Sequence, residues 1–101
     1  MPLFVKTEKF TSDSKHLLPV ERKRILLEHA AWIKKLNSSG VKVSSGYLVD
    51  EQHIPGGGGL LIVEAKSYKE AKNLISNDPI IVAGLVNWSL QEWIPVYGRL
   101  L

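Results

Sequence analysis

The hydrophobic pattern of this chain switches between a helical period and a period of two, and the order of those switches leaves few folds open. From Pro19 to Ser38 the apolar residues recur at helical spacing. At about 100° per residue, Ile25, Trp32, Leu36, His29, Arg22, Ile33 and Leu26 fall within an arc of about 120°. Lys23, Arg24, Glu28, Lys34 and Lys35 occupy the other side and its flanks. Pro19 suits the first turn, where its missing N–H costs nothing, and Glu21 suits the positive end of the helix dipole. Gly40, after Asn37-Ser38-Ser39, is the natural left-handed terminator. Ahead of this helix, Leu3 to Thr7 is β-prone, and the polar stretch from Thr7 to His16 reads as a connecting loop that carries Phe10 back to the body.

Downstream the period drops to two. Val41, Val43, Ser45, Tyr47 and Val49 share one face of a strand, with Gly46 marking a bulge or a close approach to the backbone. Asp50 to Gly59 is rich in turn residues and ends in Pro55 and four glycines, which predicts a flexible connection or a mobile flap over a cleft. Leu60 to Ala65 is apolar almost without interruption, so both faces of that strand require cover. Ser67 to Glu70 forms a capping box and opens a second helix with Ala71, Leu74 and Ile75 turned inward. Asp78-Pro79 ends that segment, and Ile80 to Leu85 suits a short helical turn. Val86, Trp88, Leu90 and Ile94 alternate with polar residues in a fourth strand, with Glu92 the exception on its apolar face. The tail from Pro95 to Leu101 is apolar enough to predict packing on the domain or on a neighbour.

The order strand, helix, strand, strand, helix, strand predicts an α+β, ferredoxin-like βαββαβ domain: a four-stranded antiparallel sheet with two helices on one face. The opposite face is bare in a monomer, and a second copy of the chain is the simplest cover, so a homodimer is expected. A length of 101 residues corresponds to a single domain spanning residues 1–101. No apolar run approaches the ~18 residues of a membrane span, and no signal peptide is apparent. The chain has no cysteine, which removes disulfides, thiolate metal sites and thiol nucleophiles and agrees with a cytoplasmic location.

The net charge is +3, and many of the positive residues lie on the outer helix face, where they suit solvent or a small anion. Nucleic acid is not expected as a partner, because RNA-recognition modules of this element order stack bases on central-strand aromatics. Here the third strand reads Leu60-Leu61-Ile62-Val63-Glu64-Ala65. The glycine run is not a phosphate loop: no Lys-Ser/Thr follows it, and it leads into a strand. The three histidines lack ligand spacing, so neither metal nor cofactor is expected.

His29 lies within the apolar arc, as either a satisfied core residue or an acid–base group in a cleft. Asp78 precedes a proline, where it caps the next turn or, if the crossover brings it near the first helix, holds His29. A carboxylate on one imidazole nitrogen fixes the tautomer, raises basicity and leaves the other nitrogen for substrate. No serine or threonine stands in a recognisable nucleophile context, so a hydrolytic triad has no support from the sequence.

The segment from His29 to Leu48, together with Asp78 to Leu85, resembles the YciI-like (YCII-related) family. The matching positions are His29, Gly40 eleven residues later, Ser45-Gly46-Tyr47-Leu48, and Asp78, Pro79, Ala83 and Gly84. The likeness spans roughly Arg22 to Ile94; Tyr47 stands where the family usually has proline, and the tail follows a different ending. The resemblance implies a dimeric α+β barrel, related in fold to muconolactone isomerase, with a His–Asp pair that maps onto His29 and Asp78. Members have been associated with dehydrochlorination of a chlorinated hydroxyquinol, and most have no assigned reaction. The resulting expectation is a small cofactor-independent lyase or isomerase acting on a compact anion of aromatic or lactone-like type. His29 would shuttle the proton and Asp78 would orient it. Ser45, Gly46 and Tyr47 would line the pocket, and Arg22 would hold a carboxylate or form a salt bridge at the rim. The alternative is a non-catalytic dimeric module that binds a small ligand or a protein, with His29 as structure.

Overall fold

Strand β1, Leu3–Phe10, alternates Phe4, Lys6, Glu8 and Phe10 with Leu3, Val5, Thr7 and Lys9, so its two faces separate by simple pleating. In the computed structural model, which describes residues 1–98, β1 lies in the middle of the sheet. It pairs antiparallel with β3 (Pro55–Glu64) and β4 (Val86–Trp93), and β2 (Val43–Val49) closes the far edge, giving the order β2-β3-β1-β4. Helices α1 (Pro19–Ser38) and α2 (Tyr68–Ile75) cross between strands, and a four-residue helix α3 (Pro79–Val82) precedes β4. This is the expected ferredoxin-like topology.

The core lies between one sheet face and the helices. Phe4, Leu61 and Val63 from the sheet and Ala71 and Ile75 from α2 are fully buried, and Trp32, Ile33 and Leu36 of α1 pack against them. Each such large apolar side chain contributes about 1.5–3 kcal/mol on burial. A second cluster joins Ile25 of α1 to Ile80, Leu85 and Val86, which pins the α3 turn beneath the helix. Ser67 caps α2 by accepting the Glu70 N–H at 3.1 Å, as its sequence motif predicts. Gly40 ends α1 with φ of +93°, the left-handed conformation glycine adopts without strain.

Several boundaries differ from the sequence expectation. β1 runs three residues past Thr7 and a 3-10 turn, Ser12–His16, follows, because both edges of this central strand have partners that carry the polar stretch along. The glycine run is not a loop: Gly56 to Gly59 form the first part of β3, where Gly58 pairs with Lys9 and Gly59 with both Glu8 and Tyr47. Ladder hydrogen bonds are made by backbone groups and need no side chain, so strands on either side override the weak strand preference of glycine. The irregularity in β2 lies between Tyr47 and Val49 instead of at Gly46. In the tail, Val96 and Tyr97 are 81% and 95% exposed and do not pack on their own domain, while the remainder of the tail, residues 99–101, lies outside the described residues.

The second sheet face is bare, with Leu3, Val5, Leu60 and Ile62 half-buried on it. A groove of 760 Å³ crosses one end of this face, between Leu3, Ser44, Ile62, Trp93, Ile94 and Pro95. Among the described residues no helix is long and apolar enough to cross a membrane.

Candidate active site

The candidate site forms where three separate parts of the chain meet on the helix-covered face. α1 contributes His29, the edge strand β2 contributes Ser45, and the α2–α3 junction contributes Asp78. His29 Nδ1 donates to Asp78 Oδ1 at 2.7 Å, and the ring's other nitrogen, Nε2, lies 2.9 Å from Ser45 Oγ. Asp78 is fully buried, whereas the His29 side chain keeps 14% of its surface in contact with solvent. Trp32, one turn along α1, flanks the imidazole with a ring-to-ring distance of 5.9 Å.

Asp78 has two roles at once. Its Oδ1 accepts the Ile80 N–H at 3.0 Å and so caps α3, whose first residue is Pro79. The same carboxylate orients His29. Its second oxygen, Oδ2, accepts from Lys6 Nζ at 2.9 Å, and Lys6 is itself fully buried. The Lys6 ammonium also pairs with Glu8, whose side chain is almost entirely covered. Burial pushes the Asp78 carboxyl up, but the hydrogen bond from His29 and the charge of Lys6 outweigh it and hold the carboxyl below its usual value. An ionised Asp78 is acceptor-only, so the hydrogen resides on Nδ1, and in the neutral imidazole Nε2 is the free acceptor. The Ser45 hydroxyl then donates to Nε2.

Lys6 and Glu8 are absent from the sequence expectation. The available signal was their alternation with Phe4 and Phe10 in β1, which sets a lysine on the buried side of a strand. Gly59 makes the arrangement possible: it is the register partner of Glu8, and a Cβ there would lie 3.0 Å from Glu8 Cγ and 3.1 Å from Cδ.

The other expected site residues are placed as follows. Arg22 Nη2 donates to the Ser14 carbonyl at 2.7 Å, which ties the start of α1 to the 3-10 turn. Tyr47 is two residues beyond Ser45 on the edge strand and 70% exposed. Gly46 belongs by strand alternation to the bare face, with no atom within 4 Å of where its Cβ would lie. Among the described residues no group of three or more His, Asp or Glu side chains could hold a metal ion.

Fold and site together define a class: ferredoxin-like α+β proteins in which a buried carboxylate backs a histidine carried on the first helix. The profile of the YCII-related domain matches residues 3–94, and the chain belongs to that family. Among solved structures, it is similar to 5-chloro-2-hydroxyhydroquinone dehydrochlorinase of Burkholderia phenoliruptrix AC1100, determined in complex with 2,5-dihydroxybenzoquinone. The identity is 25%, the TM-score is 0.67, and the match covers 91% of this chain and 93% of that one. Two further likenesses concern the fold alone. The de novo designed protein Ferredog-Diesel has 9% identity and a TM-score of 0.57, with 90% and 84% of the chains covered. A dimeric ferredoxin-like protein from an uncultured marine organism has 14% identity and a TM-score of 0.50, with 98% and 100% covered. No curated protein sequence matches this chain.

Proposed function

We propose that this protein is a small cofactor-independent enzyme of the lyase or isomerase type that moves a proton with His29. The observation that carries the reading is the 2.7 Å bond from His29 Nδ1 to a fully buried Asp78. A carboxylate in that position keeps Nε2 as the basic nitrogen and stabilises the imidazolium once the proton has been taken. The likeness to a dehydrochlorinase makes a hydroxylated, chlorinated ring the first substrate class to examine. In such a substrate His29 removes a hydroxyl proton, the electron pair moves into the ring and the chlorine-bearing carbon takes up a proton. A second hydroxyl then gives up its proton as chloride leaves, so that in sum one proton and one chloride are lost and a quinone results. Ser45 lies against Nε2, and Tyr47 follows two residues further along the same strand. Gly46 and Arg22, also expected at the pocket from the sequence, support it from further away: Gly46 within the same strand, Arg22 by bracing α1.

We also propose that the chain is a homodimer that covers its bare sheet face with a second copy, in keeping with the half-buried apolar residues there. Incubation with chlorinated hydroquinols and small lactones, followed by mass spectrometry and chloride detection, tests the catalytic reading. Wild type should turn over a member of these classes, and His29→Asn should keep its fold by circular dichroism and lose the activity. A folded protein that binds such compounds without converting them would instead favour a non-catalytic ligand-binding module, and an unfolded His29→Asn would make His29 a structural residue.

A further inference from the structure

We propose that Ser45 is a nucleophile and that Ser45, His29 and Asp78 form a relay able to take up the acyl group of small activated esters and lactones. This inference rests on the same His29–Asp78 pair as the proton-transfer reading, but it adds a covalent activity that the pair alone does not provide.

The sequence offered no nucleophile context around any serine, because the relay is assembled from three distant parts of the chain. Ser45 Oγ lies 2.9 Å from His29 Nε2, and His29 Nδ1 lies 2.7 Å from Asp78 Oδ1. These are the nucleophile–base and base–orienter contacts that acyl transfer requires. The orienter is held rigidly: Lys6 fixes one carboxylate oxygen at 2.9 Å, and the Ile80 N–H fixes the other at 3.0 Å. The order of exposure is also suitable. Asp78 is buried, His29 is mostly covered and Ser45 is exposed, so the hydroxyl is the member a solute meets first.

A donor for the developing oxyanion is available on the same residue. Among the described residues β2 is an edge strand paired only with β3, and the Glu64 N–H binds the Lys42 carbonyl across that ladder. Bonding and non-bonding pairs alternate in an antiparallel ladder, so Val43 and Ser45 turn their backbone N–H groups to the open edge. Val43 follows this rule, since its N–H reaches Asn37 Oδ1 at 3.4 Å. The Ser45 N–H therefore faces outward beside its own hydroxyl, where a nucleophilic serine's N–H can stabilise the tetrahedral oxygen.

In the reaction, Ser45 Oγ bonds to the ester carbonyl carbon while its proton passes to His29 Nε2. The carbon–oxygen bond to the leaving alcohol breaks, and that oxygen takes the proton from His29. Water then adds to the acyl-serine with His29 as base, and the carboxylic acid departs as the serine proton returns. Asp78 remains ionised throughout, facing the imidazolium.

The test is acylation of the intact protein by 4-nitrophenyl acetate and labelling by an alkyl fluorophosphonate, each followed by peptide mass spectrometry. The expected result is one adduct per chain, located on Ser45, with a matching burst of 4-nitrophenolate. Ser45→Ala should abolish adduct and burst, and His29→Asn should slow acylation by about 100-fold or more, with folding of both variants checked by circular dichroism. Absence of an adduct, an adduct on a lysine or on Tyr47, or undiminished labelling of Ser45→Ala would overturn the inference; a hydroxyl that merely caps the imidazole gives these results. Turnover of a chlorinated hydroquinol without a Ser45 adduct refutes this proposal alone, and a Ser45 adduct with neither dehydrochlorination nor isomerisation of any compound in those classes refutes the earlier one alone.

Discussion

Replacing Lys6 by methionine isolates the electrostatic support of the site, because methionine matches the lysine stem in length and leaves little cavity. In the native protein the Lys6 ammonium, fully buried, neutralises Asp78 at 2.9 Å and also pairs with Glu8. Removing it leaves two shielded carboxylates without their common cation. Breaking a buried ion pair on one side costs about 3–5 kcal/mol, a large share of the ~5–15 kcal/mol that stabilises a domain of this size. Urea denaturation at neutral pH should show a loss of that order. Glu8→Gln added to Lys6→Met should recover part of it, since it removes one of the two stranded charges.

The pH dependence follows from the same contacts. The folded Asp78 carboxyl titrates below its unfolded value, which lies near the ordinary ~3.9 for aspartate. Its contribution to stability is therefore fully present above the unfolded value and is lost as pH falls through the folded value. Without Lys6, burial is opposed only by His29 and the Ile80 N–H, the folded carboxyl rises, and acid unfolding should move to higher pH. A Lys6→Met protein that loses less than about 1 kcal/mol, with its acid midpoint unchanged, would refute the account of a buried, fully engaged ammonium.

Other substitutions test separate parts of the argument. Gly59→Ala should cost about 1–3 kcal/mol through collision with Glu8, whereas Gly46→Ala, with open space at its Cβ, should fold as well as wild type in the same denaturation assay. Ser67→Ala should remove about 1 kcal/mol by leaving the start of α2 uncapped, read as a lower urea midpoint with an unchanged slope. Ile62→Lys places a charge on the bare sheet face and should shift the protein to monomer in light scattering, with the far-ultraviolet spectrum retained.

What the sequence determined by itself was local. The period of α1, its proline start and its glycine stop define Pro19–Ser38 because each depends on residues within a turn or two. The Ser67 cap and the alternation of β4 were legible for the same reason, and the succession of periods was enough for the ferredoxin-like order. His29 and Asp78 could be singled out as candidates, one by its place in an apolar arc and the other by its proline neighbour. Their meeting across 49 positions depended on the crossover that lays α3 against α1. Only the tertiary structure made strand out of the glycine run, since beyond the hairpin with β2 its second ladder comes from Glu8 and Lys9 of the distant β1. Only there, too, did Lys6 become the counter-ion of Asp78, 72 residues away, and Ser45 the hydroxyl on Nε2. Charges and hydroxyls carry no periodic signal of their own. Their partners are set by strand register and helix packing, which bring together groups the chain keeps far apart.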